Sequence, residues 1–196
     1  EALDENGKSC VMVACCDGDL NRVKNLVKRG GSIHVVDKIG CSCLHYACFN
    51  RDVDMVQYLV NQGVDINLLS NGDYGSLHYS CVRGRDGQKE PKENTEILEI
   101  LLNAGSNIDT KSTNGQTPFI CLCWSARDIS PIKLLLDRGA DWRLTTESGV
   151  TGLECARNDN ENKEIAVWLE EYINKLEISE EKCRRATKNV LCVGKR

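Results

Sequence analysis

Aromatic side chains are scarce in this chain: ten in 196 residues, or 5%. A core must therefore be built from Leu, Ile, Val, Ala and Cys. No apolar run approaches the roughly 20 residues needed to cross a bilayer, and nothing resembles a secretory signal, so membrane insertion is not expected. A basic excess is missing too: the net charge is −4, which argues against general nucleic-acid binding. The charge is uneven, with six Lys/Arg against three Glu in residues 177–196, leaving −7 on the first 176. The chain opens on Glu1 without a methionine, so the expectation is a fragment of a larger protein.

What is present suits one ordinary domain or a short array of repeats: 41% hydrophobic and 28% charged residues. Twelve cysteines would suggest a disulfide framework in a short extracellular chain. This one is too long and too rich in aliphatics to need such a framework. The expectation is reduced thiols, hence a cytoplasmic setting, with the nucleus as the alternative.

Periodicity organises the rest. Gly30, Gly63, Gly105 and Gly139 each end a leucine-rich run: VKNLVKRG, VQYLVNQG, LEILLNAG and IKLLLDRG. An apolar residue follows each after the same interval: Leu44, Leu77, Phe119 and Leu153. The steps from Val11 to Leu44 and from Leu44 to Leu77 are 33 residues, the next 42 and the last 34. Each unit predicts a short apolar helix, then an amphipathic one. In the second unit these run over 44–49 and over 53–62, with Met55, Val56, Leu59 and Val60 on the buried side. Such a pair cannot bury its apolar face alone, so the units must stack.

The segments GCSCLHYA (40–47), DYGSLHYS (73–80), GQTPFICL (115–122), GVTGLECA (149–156) and, more weakly, GKSCVMVA (7–14) resemble the ankyrin repeat. The closing segments GVDIN, GSNID, GADWR and GGSIH match as well. The resemblance implies an all-α solenoid of helix–turn–helix units joined by β-hairpin-like loops, over residues 4–176 in five repeats: 4–36, 37–69, 70–111, 112–145 and 146–176. Two departures stand out. A polar insertion, RGRDGQKEPKEN (83–94), splits the third repeat and reads as a surface loop of little closure cost. Tyr172 replaces the terminal glycine, so the last helix is expected to run on as a polar cap. Residues 177–196 form a basic tail, read equally as capping helix or linker. Its Lys182, Arg184, Arg185 and Lys188 read first as a solvated face and second as a phosphate or anionic-lipid contact.

The segment CSCLHYAC (41–48) invites a metal or nucleophile reading. Aligned by repeat, Cys15, Cys48, Cys81 and Cys123 share one column, where small buried residues are expected. The CxC pairs 41/43 and 121/123 fall at different places in their repeats, so they do not make matched zinc arms. Cys41 takes the variable tip position, where exposure is expected. The resemblance makes His45 and His78 hydrogen-bonding residues within and between repeats. No catalytic residue, metal or cofactor is expected, and the chain is not read as an enzyme.

The resemblance places function on a concave face built from hairpin tips and the outer side of each first helix. It implies a protein or peptide partner, with the isolated fragment a monomer. The candidate contacts are Ile39, Tyr46, Phe49, Tyr74, Tyr79, Arg83 and Trp124, since aromatics and Arg dominate binding hot spots. Packing against neighbouring helices is the competing role for the aromatics. Asn67, after Leu59 and Asp65-Ile66, resembles the residues that asparaginyl hydroxylases modify in this family. The alternative for the whole is a targeting or regulatory arm of a larger enzyme or channel.

Overall fold

The computed structural model describes residues 3–82, 91–158 and 163–193. Among these residues there are ten helices and no strand. First helices alternate with second ones: α1 (Cys10–Cys16), α2 (Leu20–Lys28), α3 (Cys43–Phe49), α4 (Val53–Asn61), α5 (Ser76–Cys81), α6 (Pro91–Asn103), α7 (Pro118–Ser125), α8 (Ser130–Asp137), α9 (Gly152–Asn158) and α10 (Lys163–Val193). The helices start where a side chain can satisfy an orphan N–H. Ser9 accepts from the Met12 amide, Asp19 from Arg22, Asp52 from Met55 and Thr117 from Ile120. Helices α2, α4, α6 and α8 are each followed by a glycine in the left-handed region. At Gly30 (φ +92°), Gly31 N–H reaches the Leu26 carbonyl at 2.9 Å, closing a Schellman turn.

Five such pairs stack. The first helices pack in file, α1 on α3 on α5 on α7 on α9, and α4, α6 and α8 form a second file behind them. The all-helical solenoid is as expected. In α4, Met55, Val56 and Leu59 are buried, while Val60 is half-buried at the edge of the core. Cys15, Cys48, Cys81 and Cys123 are all buried between the helix files, as small apolar residues are. The hairpin-like loops appear as antiparallel bridges, Leu3 to Ser9, Val36 to Ser42 and Thr145 to Thr151.

One boundary differs from the sequence reading, and the run-on past Tyr172 is as expected. The insertion was expected to run to Asn94, yet α6 begins at Pro91, because proline suits the first helical position. Residues 83–90 lie outside the described residues. At the other end α10 passes Tyr172 unbroken to Val193, 31 residues in all. Leu169 and Ile173 are buried, α10 packs on α9, and the Trp168 and Tyr172 rings stack at 5.1 Å. Among the described residues no helix is long and apolar enough to cross a membrane.

Candidate interaction face

The hairpin tips are held to one another by main chain. Lys38 N–H donates to the Asn6 carbonyl, Asn71 to Ile39, Thr113 to Gly72 and Glu147 to Asn114, at 2.9–3.0 Å. Within the second tip, the buried Asp37 carboxylate accepts from the Ile39 and Cys41 amides at 3.0 and 2.9 Å. Ser112 and Thr146 play that part in the fourth and fifth repeats, accepting from Gln116 and Val150. Asp73 stands where the other tips have glycine, and it carries a left-handed φ of +59°.

Each of the two histidines ties its first helix to a later hairpin, that of its own repeat for His45 and that of the next repeat for His78. His45 Nδ1 accepts the Ser42 N–H at 2.9 Å, which leaves the proton on Nε2, 3.1 Å from the Leu68 carbonyl. His78 repeats the arrangement between Gly75 N–H at 3.1 Å and the Gln116 carbonyl at 2.9 Å. Burial holds the His45 imidazole down to about 4, and it lowers His78 as well. Both are neutral structural groups at neutral pH. The Glu154 carboxylate makes the same cap from the surface, accepting from Thr151 N–H at 2.8 Å. That hydrogen bond lowers its pKa.

The predicted contact residues divide into two kinds. Tyr46, Tyr74 and Tyr79 are half-buried and bonded within the chain. Tyr46 donates to Asp37 Oδ2 at 2.5 Å, and Tyr74 to Gln116 Oε1 at 3.2 Å. The Tyr79 hydroxyl lies 3.0 Å from Cys41 Sγ and 3.4 Å from Ser70 Oγ, with its ring edge-on to His45 at 5.0 Å. Burial pushes the Tyr79 hydroxyl up to about 12. Ile39 and Trp124 are instead 58% and 59% exposed. Phe49 is half-buried and shares a repeat position with the exposed Val82 and Trp124. Arg83 lies outside the described residues.

Cys41 is not exposed: it is buried, because Tyr79 of the next repeat covers its thiol. A reading of one repeat at a time has no access to that neighbour. Val36 and Leu69 were not selected from the sequence, although they and Leu3 occupy one repeat position and are all exposed. Their alignment across three units was the signal available. Asn67 is exposed, and its side chain bridges to the next repeat. Its amide donates to the Gly105 carbonyl at 3.1 Å and its oxygen accepts from Asn107 N–H at 2.9 Å. Among the described residues no cluster of three His, Cys, Asp or Glu side chains could hold a metal ion.

The sequence matches a family model for ankyrin repeats, in three copies, over residues 11–90. It is also 45% identical over 47 residues to the ankyrin repeat protein OPG189 of variola virus. That alignment covers 24% of this chain and only 8% of the viral protein's length.

Proposed function

We propose that this chain, whose residues 11–90 match a family model for ankyrin repeats, is a protein–protein interaction module binding its partner across the hairpin tips and first-helix ends of repeats two to four. Ankyrin repeats are in general interaction modules rather than catalysts. One observation carries the placement. Among the described residues, the exposed large apolar side chains outside α10 are Leu3, Val36, Ile39, Leu69, Val82 and Trp124, and α10 adds Val167 and Ile178. The first six belong to hairpins or first-helix ends. Among the described residues, none lies on α2, α4, α6 or α8. Concentration of exposed apolar surface on the hairpins and first-helix ends ahead of α10 marks an interaction face.

The tyrosines support that face from below: their hydroxyls hold the tips while the exposed residues meet the partner. The partner is read as a protein or peptide, and the module as a monomer on its own. A place as the targeting or regulatory arm of a larger enzyme or channel would use the same face. Affinity capture from the native cell tests the assignment, comparing wild type with the double variant Ile39→Ser/Trp124→Ala. Both side chains are exposed, so the melting curve should stay within about 0.5 kcal/mol of wild type. Bound partner should fall by at least about thirtyfold, the loss of roughly 2 kcal/mol expected of a hot spot. Equal capture of the same partner by the folded double variant would refute the face.

A further inference from the structure

One column of the repeat forms an exposed row along the hairpins. Leu3, Val36 and Leu69 stand 33 residues apart in sequence and are 55%, 43% and 38% exposed. Each holds the same place in its hairpin. Leu3 bridges to Ser9 and Val36 to Ser42, and a Cβ on Gly75, the equivalent of those serines, would meet Leu69 Cδ2 at 3.3 Å. The column continues with the exposed Lys111 and then with Thr145, which bridges to Thr151. Along the stack the row therefore reads apolar, apolar, apolar, basic.

The stack sets the pitch of this row. Successive first helices pack on one another, and packed helices lie about 8–10 Å apart. One main-chain bond per repeat holds consecutive tips to the same step. A bound β-strand would not match that pitch, since its same-face residues fall about 7 Å and then about 13 Å apart. An α-helix renews its apolar stripe about every 5 Å, roughly twice as often as the row. A polyproline II segment turns once in three residues and rises about 9 Å in doing so. Every third side chain then falls on one side, at the pitch of the repeats.

We infer that the row is a docking site for a polyproline II segment of a partner protein. The segment carries an apolar side chain at every third position, three in all, to lie on Leu3, Val36 and Leu69. One turn further it carries a carboxylate that faces Lys111, whose charge ends the apolar row. Such a segment is extended before it binds, so little conformational freedom is lost on docking. The inference rests on the proposed function, because these hairpins belong to the same face, and it adds the chemistry of the partner.

The test uses the full chain and labelled synthetic peptides, with binding read by fluorescence anisotropy. The probes are LPPLPPLPPE and its reverse, which cover both directions along the row. One control, LPLPLPPPPE, has the same composition with the wrong spacing, and another is an alanine-based helix with leucines seven residues apart. One probe should bind at least about tenfold tighter than either control. Val36→Asp, at the centre of the row, should weaken that probe by at least about tenfold. Lys111→Glu should weaken it by about threefold and favour the same peptide with lysine in place of its glutamate. Circular dichroism establishes that each variant is folded, and if Val36→Asp is not, the charge exchange at Lys111 decides. No preference over the controls, tighter binding of the helix, or wild-type affinity in both folded variants would overturn the inference. If the probes fail while Ile39→Ser/Trp124→Ala still loses its cellular partner, the face stands and the polyproline II partner falls.

Discussion

Lowering the pH from 7 to 5 should loosen this stack through His45. The imidazole is wholly buried, it accepts the Ser42 N–H on Nδ1 and it donates from Nε2 to the Leu68 carbonyl of the same repeat's closing hairpin. Protonating Nδ1 would turn that acceptor into a donor facing another donor. Burial sets the folded value at about 4, against 6.5 in the unfolded chain. The folded value is the lower one, so the unfolded chain binds the extra proton. The stabilisation is therefore complete above about 6.5 and is lost as the pH falls towards 4. By linkage, about 2 kcal/mol of it should disappear between pH 7 and pH 5. His78 is shifted in the same direction for the same reason and adds to the loss. Carboxylates of ordinary pKa change little over this window. Urea unfolding followed by circular dichroism should show the midpoint falling by about 1 M, taking roughly 2 kcal/mol per M as the denaturant slope. His45→Gln should start lower at pH 7 and decline much less on acidification. A wild-type midpoint that is flat from pH 7 to 5, or an undiminished decline in His45→Gln, would refute the argument.

Two further perturbations follow from close contacts. Gly152→Ala should destabilise the fifth repeat by about 1–3 kcal/mol, seen as a lower melting temperature. A Cβ at that position would meet Phe119 Cε1 at 2.6 Å and Cys123 Sγ at 3.0 Å, both deep in the core. Asp73→Gly should raise the melting temperature, with a gain of up to about 1 kcal/mol, because the left-handed φ of +59° suits glycine better than an L side chain.

The repeat register was legible because each structural device leaves a residue at a fixed place. The glycine after each second helix, the cap residues Ser42 and Thr117 and the column of Cys15, Cys48, Cys81 and Cys123 recur with the fold's own period. What recurred was readable, down to the start of α4 at Val53. What depended on two repeats at once was not. Cys41 reads as an exposed tip until Tyr79 of the next repeat is laid over it. The start of α6 was obscured for a local reason. Polar residues Lys92, Glu93 and Asn94 resemble a loop, but they also suit the first turn of a helix whose leading residue is proline.

The ladder between the hairpin tips gives this molecule room to change. Its donors sit at Lys38, Asn71, Thr113 and Glu147, and its acceptors at Asn6, Ile39, Gly72 and Asn114, yet every bond is main chain to main chain. These main-chain bonds do not depend on which side chains stand there, and basic, acidic, aliphatic and amide residues hold equivalent places, although Lys38, Asn71 and Thr113 each add a side-chain bond to the preceding tip. Specificity can drift residue by residue along the tips while the joints beneath stay the same, and only proline at a donor position would cut one of them.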